Sequence, residues 1–415
     1  MCNSINKRKV EKLPSFLLEY GLKNKIYVVK LLWTFIIYEV FMKAIFYNLK
    51  LRTRINLRML RNIILFLLLI WLTFFMIFKD QDMNELIRLI KSAKIQYIII
   101  GVFIMFLFYL MEAINIRSIL KSFGEKVSLI SAIRYTFIGF FFSSVTPAAS
   151  GGQPIEIYYM TKDKIKGANA TMALLIQACG LLISTISLGI ICAILNPSIF
   201  SGWIIPLFLL GVSINSIGLS FLLICIFSKR LTKKIVDIFF KLLKLLRIRS
   251  LNAKRKKFDE GLKQYDASAE YIKSHKGLFV ISILRVFLQI AVYYSVPFLV
   301  YKAFGLEGKN LFHLFTMQAI LYCTVSGLPL PGAIGISESV FLTIYGTAFS
   351  KEMISGAMLL SRGVTFYLYV IVSLVVVLIS MFMTKNRKGE IDKEIIEMEK
   401  VEEKEIELEL ENQAV

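Results

Sequence analysis

Histidine and cysteine are scarce in this 415-residue chain. There are two histidines, His275 and His313, and five cysteines, none of which forms a CxxC pair. Zinc sites and disulfide frameworks need such residues at close, regular spacing, so the sequence argues against both. It also lacks a phosphate-binding loop, a nucleophile motif and a secretory signal with a small-residue cleavage site. We therefore expect no cofactor, no metal ion and no ATP hydrolysis by this chain.

Acidic residues are also few: 29 Asp and Glu stand against 50 Lys and Arg, which gives a net charge of +21. The basic excess is concentrated in residues 1–61, with 13 basic and 3 acidic residues, and in residues 228–276, with 15 and 5. A basic protein often binds nucleic acid. Here the basic blocks flank long apolar stretches, as the cytoplasmic loops of membrane proteins do. We interpret the charge as a sign of membrane orientation and expect no nucleic-acid partner.

Apolar sequence is present in excess: 56% of the residues are hydrophobic, and the mean hydropathy is +0.66. A soluble core cannot use that much apolar surface, so we predict an all-α, polytopic membrane protein. Residues 26–47 are interrupted by Lys30, Glu39 and Lys43, which suits an interfacial helix better than a span. At roughly 20 residues per crossing, six full spans are expected, at about 62–78, 96–114, 169–195, 203–227, 277–301 and 353–384.

Two further apolar regions, about 129–160 and 311–346, are predicted to enter the membrane and turn back. Lys and Arg place residues 48–61 and 228–276 in the cytoplasm, and the uncharged residues 196–202 are expected outside. For these assignments to agree, the first region must begin and end in the cytoplasm and the second must begin and end outside. The sequence thus predicts two re-entrant helical hairpins of opposite direction, an inverted pseudo-repeat. Two full crossings in each region would give the same parity.

Helix-breaking residues mark the middle of each of these regions. One run is Thr146-Pro-Ala-Ala-Ser-Gly-Gly-Gln-Pro154, and the other is Gly327-Leu-Pro-Leu-Pro-Gly-Ala-Ile-Gly335. Paired breaks of this kind in the two halves of a transporter indicate its substrate site, because broken backbone at membrane depth must be buried in protein or line a cavity. The second arms are expected to start at Pro154 and Gly335. Two helix N-termini, which attract anions such as a lipid phosphate, would then face the interior.

Charged residues within the apolar sequence fit a path for a polar headgroup, because ionisable groups at this depth are costly and are functional by default. The candidates are Glu112 and Arg117 near the end of the second span, Glu156 and Glu338 after the two breaks, and Arg285 and Arg362 in the spans that flank the second hairpin. The competing interpretation is that Arg117 and Arg134 extend to the membrane surface, and that Gln289 and Gln318 only join neighbouring helices.

The two breaks resemble motifs of the lysylphosphatidylglycerol synthase/flippase family, also called multiple peptide resistance factor. The first is similar to the family's TP…GGEP segment, with Gln153 where the family has an acid, and Pro331-Gly-Ala-Ile-Gly-Ile-Ser-Glu338 is similar to its PGGxGxxE segment. Arg117 matches an arginine at the end of the family's second span, and the resemblance covers about 60–385. Together with the charged residues above, the motif residues form the predicted lipid-headgroup site: Glu112, Arg117, Thr146, Pro147, Gly151, Gly152, Gln153, Pro154, Glu156, Arg285, Pro331, Gly332, Gly335, Glu338 and Arg362.

The resemblance implies a flippase that moves phosphatidylglycerol or its lysyl derivative between the leaflets of a bacterial cytoplasmic membrane, as in resistance to cationic antimicrobial peptides. Full-length family members resemble a flippase joined to a large soluble synthase domain, whereas only the polar residues 385–415 follow the last span here. One alternative is a phosphatidylglycerol lysyltransferase, or the membrane subunit of one that works with a separate synthase chain. Another is a membrane scaffold whose acidic tail binds a basic partner.

Three parts of the chain are predicted. Residues 1–60 form a basic cytoplasmic or interfacial segment. Residues 61–384 form the lipid-transport domain, with the basic cytoplasmic connection 228–276, and residues 385–415 form an acidic cytoplasmic tail with 11 acidic and 6 basic residues. Both termini are expected in the cytoplasm, and the organisation is compatible with a homo-oligomer.

Overall fold

The computed structural model describes residues 83–146, 149–200, 202–234, 237–238, 264–328, 333 and 335–381, all within one compact unit of the chain. The described residues form helices and connecting turns, with no strand among them. The all-α class predicted from the sequence is therefore confirmed. Four predicted segments lie wholly or mostly outside the described residues: the interfacial helix 26–47, the span 62–78, the basic connection 228–276 and the acidic tail 385–415.

In the first half of the described chain, helices α1 to α6 follow one another. A short amphipathic helix, α1 (Met83–Ser92), precedes the long helix α2 (Ile95–Ser122). A helical hairpin follows, made of α3 (Leu129–Ser144) and α4 (Gly152–Lys162). Two long helices, α5 (Gly167–Leu195) and α6 (Ile204–Phe227), complete this half.

The second half begins, after the basic connection, with α7 (Lys276–Tyr294) and α8 (Val296–Ala303), which form one apolar span with Pro297 at its break. A second hairpin consists of α9 (Leu311–Val325) and α10 (Ile336–Ile344). Helix α11 (Ile354–Arg362) then continues through a π-helical turn at Gly363–Tyr367 and ends at Met381.

Membrane-spanning character is confirmed for five of the six predicted spans, and the first one lies outside the described residues. These helices have 24 to 29 residues, so each is longer than the roughly 20 residues that a crossing needs. Their large exposed side chains are apolar, as a lipid-facing surface requires; Ile217 of α6 is 71% exposed and Leu284 of α7 is 61% exposed. The five are Ile95–Ser122, Gly167–Leu195, Ile204–Phe227, Lys276–Ala303 and Ile354–Met381.

The hairpin helices are too short to cross a bilayer individually. At 1.5 Å per residue, α3 and α4, with 16 and 11 residues, are about 24 and 16 Å long. The second hairpin, with 15 and 9 residues, has arms of about 22 and 14 Å. The hydrocarbon core is roughly 30 Å thick. Their lengths therefore favour arms that turn back within the membrane over two full crossings.

One predicted boundary was wrong. Helix α4 begins at Gly152 rather than at Pro154, because Gly151 already has helical dihedral angles of −86° and −20°. Pro154 is the third residue of the helix, where its missing N–H still has no intrahelical carbonyl to bond. The second arm begins as expected, directly after Gly335.

Glycines allow the long helices to approach closely at the centre of the protein. A Cβ atom added at Gly180 of α5 would lie 2.9 Å from Val286 of α7, and one at Gly211 of α6 would lie 2.5 Å from the carbonyl oxygen of Cys323 in α9. Inside a bilayer the hydrophobic effect does not hold helices together, so close contacts between small residues supply much of the attraction. These contacts join α5, α6, α7 and α9 around a continuous buried core.

The order of elements is the same in both halves. A span (α2), a hairpin (α3–α4) and a span (α5) are followed, after α6, by a span (α7–α8), a hairpin (α9–α10) and a span (α11). Each hairpin has a longer first arm, a turn and a shorter second arm with an acid in its first five residues. This repetition agrees with the predicted pseudo-repeat, while the opposite directions of the hairpins in the membrane stay a prediction.

Candidate functional site

The turn of the first hairpin is closed by Thr146. Its hydroxyl group donates a hydrogen bond to the Phe142 carbonyl at 2.6 Å and accepts one from the Gly151 N–H at 2.9 Å. Gly152 packs so tightly against α3 that an added Cβ would lie 2.6 Å from the Gly139 carbonyl oxygen. Glycine at 151 and 152 therefore permits a contact that other residues would block. Pro147 lies outside the described residues.

The beginning of α4 combines exposed and buried side chains. Gln153 and Pro154 are exposed at the tip, whereas Glu156, one turn of helix further on, is 5% exposed. The Glu156 side chain lies against Gly139 of α3. Its Oε2 atom is fully buried and has no hydrogen-bond partner in the part of the chain that the structure describes. An acid in this setting is costly, and such groups usually mark functional sites.

Glu112 of α2 takes part in a chain of polar side chains between the helices. Its Oε2 atom accepts a hydrogen bond from the Gln289 side chain at 3.1 Å. Gln289 in turn accepts a hydrogen bond from Gln177 at 3.1 Å, and Gln177 accepts one from Asn115 at 2.7 Å. This amide chain connects α2, α5 and α7 inside the membrane domain.

The turn of the second hairpin is organised by Glu338. Gly335 has a φ of +90°, a conformation available to glycine. The Gly335 N–H donates to Glu338 Oε2 at 2.6 Å, and the Ser337 hydroxyl donates to the same oxygen at 2.8 Å. Glu338 thus caps the N-terminus of its own helix. Pro331 and Gly332 lie outside the described residues.

Arg362 neutralises Glu338. The Arg362 Nε atom lies 2.8 Å from Glu338 Oε1, and its Nη2 donates to the Ser337 hydroxyl at 2.9 Å. The Glu338 side chain is 1% exposed and that of Arg362 is 17% exposed. Removing one partner of such a buried pair leaves an uncompensated charge and typically costs about 3–5 kcal/mol. The pair connects α10 with α11, so it holds the second hairpin to the last span.

The apolar helices also contain tyrosine side chains that the sequence analysis did not single out. Tyr293 accepts a hydrogen bond from Gln318 at 3.1 Å, and Tyr345 donates one to Gln318 at 3.0 Å. Tyr109 packs on Tyr369 with ring centroids 4.7 Å apart. The sequence signal that could have identified them is the presence of tyrosines within apolar spans, since a buried phenol usually needs a polar partner.

The two remaining arginines of the predicted site have different surroundings. Arg117 donates from Nε to the Val127 carbonyl at 3.0 Å, a bond that fixes the connection between α2 and α3. Arg285 of α7 has a buried Nη1 atom with no hydrogen-bond partner among the residues of the described ranges. Arg134, which the competing interpretation placed at the membrane surface, pairs with Asp163 at the end of α4, and Tyr135 donates to the same carboxylate.

The predicted site residues therefore fall into two groups. Glu156 lies in the first hairpin and Glu112 in the span before it, whereas Glu338 and Arg362 form an ion pair that joins the second hairpin to the last span. No substantial helix–helix packing joins the two hairpins within the described chain. Nor do the described residues contain a group of three His, Cys, Asp or Glu side chains that could hold a metal ion.

The fold and these buried charges define a polytopic α-helical membrane protein with polar sites inside its membrane domain. Residues 59–373 match the family model described as the lysylphosphatidylglycerol synthase TM region, and the chain belongs to that family. It is also similar to a UPF0104 membrane protein from Archaeoglobus fulgidus, with 20% identity over 333 residues, which cover 76% of this chain and 96% of the archaeal protein. Membership of this family supports a lipid-related function in the membrane.

Proposed function

We propose that this protein is a phospholipid flippase that moves phosphatidylglycerol or its lysyl derivative between the two leaflets. The observation that carries the proposal is Glu156, an acid in the second arm of a membrane hairpin, 5% exposed and with an unpartnered carboxylate oxygen. A carrier gains a partner for a cationic headgroup whose acyl chains stay in the bilayer.

The headgroup site is centred on the first hairpin. Glu156 and Glu112 pair with the amine that lysylation adds to the lipid, and the exposed start of α4 at Gln153 and Pro154 receives the rest of the headgroup. Arg285 contributes a cation for the lipid phosphate, since its buried Nη1 has no partner among the described residues. Arg117 and Thr146 hold the α2–α3 connection and the hairpin turn in place.

The second hairpin has a supporting role in this mechanism. Both oxygens of Glu338 are engaged by protein groups, and the Gly335 N–H at the start of α10 is bonded to that carboxylate. A lipid phosphate at this helix terminus would have to displace Glu338. We therefore assign Glu338, Arg362 and Gly335 to the folding of the second hairpin, and assign recognition of the amine to the first hairpin.

The cellular setting of the proposal is the bacterial cytoplasmic membrane, with both termini in the cytoplasm. Moving a cationic lipid to the outer leaflet would reduce the negative charge of the cell surface. Cationic antimicrobial peptides bind such surfaces electrostatically, so resistance to them follows from the transport. A separate synthase chain would supply the lysylated lipid.

Reconstitution into liposomes tests the function. Fluorescent phosphatidylglycerol and lysylphosphatidylglycerol differ only in the headgroup, and their movement is followed by quenching the outer leaflet. We expect Glu156→Gln to weaken recognition of the lysylated lipid by about 5- to 150-fold, the equivalent of roughly 1–3 kcal/mol for a hydrogen bond to a charged group. Transport of phosphatidylglycerol, which has no amine, should change less. The exposed acid variant Glu352→Gln is the control and should transport both lipids normally.

The family description favours a second candidate, participation in lysylphosphatidylglycerol synthesis. Incubation of the purified protein with lysyl-tRNA and phosphatidylglycerol distinguishes the two. Formation of lysylphosphatidylglycerol by the chain itself would favour the synthase. Lipid movement without product formation would favour the flippase.

A further inference from the structure

A further helix, termed the connecting helix, lies in the connection between α6 and α7 and includes residues 264–274. Its buried residues are Tyr265, Ser268, Ala269 and Ile272, whereas the residues on the opposite side are exposed. This spacing of three, four and seven positions is that of a helix that packs one face on a protein. The connecting helix therefore lies against the membrane domain and leaves its other face exposed.

Hydrogen bonds fasten the connecting helix to two spans. The Ser268 hydroxyl donates to Asn169 Oδ1, near the start of α5, at 2.8 Å. The Tyr265 hydroxyl donates to the Cys225 carbonyl, near the end of α6, at 2.9 Å. Both bonds join the helix to residues that are distant in sequence, so they depend on its position and not on its own folding.

The same contacts extend to the end of α2. Asn169 donates from its side chain to Glu125 Oε1 at 2.6 Å, and the Lys166 N–H donates to the same oxygen at 3.2 Å. The rings of Phe123 and Tyr271 pack edge to face with centroids 5.6 Å apart. The connecting helix thus gathers the ends of α2 and α6 and the start of α5 on one side of the membrane domain.

An apolar cluster lies beneath the connecting helix. Tyr265 and Ile272 pack there with Ile165 and with Met160 of α4, which has no exposed surface. Met160 is four residues after Glu156, so the two side chains share one face of α4. Along α4, the cluster therefore lies between Glu156 and the end of the protein that holds the connecting helix.

The other end of α4 is open. Ser150, Gln153 and Pro154 are exposed at the hairpin turn, whereas Met160 and Ile165 are buried. Access to Glu156 is thus blocked on the side of the connecting helix. Basic loops mark this as the side expected to face the cytoplasm.

We propose that the connecting helix is the cytoplasmic gate of the carrier, and that it is closed in this structure. The inference rests on the proposed function and assigns a moving part to it. When the helix leaves α5 and α6, Ser268 and Tyr265 exchange their protein partners for water, and the apolar cluster opens toward Glu156. Because a hydrogen bond that is exchanged for one to water contributes little net free energy, such contacts can open reversibly. Closing one side before the other opens is what alternating access requires.

A reversible cross-link tests the gate in a transport assay. Asn169→Cys/Ser268→Cys is prepared without native cysteines, joined by a short reducible bifunctional thiol reagent and reconstituted into liposomes. We expect the cross-link to abolish movement of phosphatidylglycerol and of its lysyl derivative, and a reductant to restore it. Glu270→Cys/Ser274→Cys is the control, because its link lies within the connecting helix and should leave transport unchanged. Transport by the cross-linked protein at the rate of the reduced one would overturn the inference and leave the flippase proposal standing.

Thiol labelling tests the gate without any transport. In detergent, the buried Met160→Cys thiol should react with a water-soluble maleimide about 5- to 150-fold faster when Tyr265→Phe and Ser268→Ala remove two hydrogen bonds. Ser274→Ala is the matched control, since its hydroxyl donates to the Tyr271 carbonyl of the same helix at 2.8 Å, and should not change the rate. Equal rates in all three proteins would contradict the gate. Wild-type protein that moves neither lipid would defeat the proposed function instead.

Discussion

Glu156 fits between α3 and α4 because residue 139 has no side chain. A Cβ atom at Gly139 would lie 2.7 Å from Glu156 Cγ and would overlap the carboxyl group. The nearest atom to a Cβ added at Gly218 of α6, by contrast, would be Leu182 Cδ1 at 3.5 Å, an ordinary contact. Two glycines within helices of the same protein therefore have different reasons to be there. One makes room for a buried acid, and the other faces space that a methyl group can occupy.

Substitution of Gly139 tests this fit. We expect Gly139→Ala to lower the stability of the protein by about 1–3 kcal/mol, the usual cost of overpacking. The measurement is the midpoint of thermal unfolding in detergent, followed by intrinsic fluorescence. Gly218→Ala is the matched control and should leave the midpoint unchanged or slightly raised, because alanine favours helix more than glycine does. The double variant Gly139→Ala/Glu156→Ala should recover much of the loss. A loss of the same size in both single variants would contradict the steric explanation.

The second hairpin turns because α10 carries its own cap. Glu338 bonds the Gly335 N–H and the Ser337 hydroxyl, and Arg362 compensates its charge from α11. Gly335 supplies the positive φ with which the chain enters the helix. The positive φ, the cap and the ion pair thus meet at one helix terminus. Helix α10 has only 9 residues, and a helix this short is marginally stable by itself, so it depends on all three.

Gly335 and Gly363 both lie at helix ends, and backbone strain alone should make their substitution by alanine differ in its effect on stability. A Cβ atom at Gly335 meets nothing within 4 Å, so Gly335→Ala is opposed only by its φ of +90° and should cost about 1–2 kcal/mol. Gly363 also has open space around it, but its φ is −55°. Gly363→Ala should therefore be neutral or stabilising by about 0.5–1 kcal/mol. Chemical denaturation of the two purified variants provides the comparison, and equal stabilities would rule out backbone strain at residue 335.

Helix positions were more predictable than side-chain partners. The breaks at Thr146–Pro154 and Gly327–Gly335 are local signals, because Gly and Pro act on the backbone of their own segment. Both hairpins and five spans followed from them and from hydropathy. The pairing of Glu338 with Arg362 depends instead on how α10 packs against α11, which no local pattern encodes. The same holds for Gln177, whose bond to Gln289 joins residues 112 positions apart.

Because the order span, hairpin, span is repeated, each hairpin has an acid in its second arm. The surroundings of these two acids differ. In the first half the acid, Glu156, has no cation bound to it within the described structure, and in the second half Glu338 is neutralised by Arg362. A fully symmetric pair would leave either two uncompensated acids or two closed ion pairs at membrane depth. For the proposed carrier, this asymmetry would provide one headgroup site and one structural anchor.

Opposite orientation of the two hairpins is the prediction that connects this repeat to alternating access. Lys166, just after the first hairpin, and Lys351, just after the second, are both exposed. In a variant without native cysteines, a membrane-impermeant maleimide should label Lys351→Cys on intact cells and Lys166→Cys only after permeabilisation. Leu209→Cys, which is 58% exposed on the apolar surface of α6, should react from neither side because thiolates form in water. Labelling of Lys166→Cys on intact cells would place both hairpin ends outside. The inverted repeat, and a headgroup path entered from opposite sides, would then have to be abandoned.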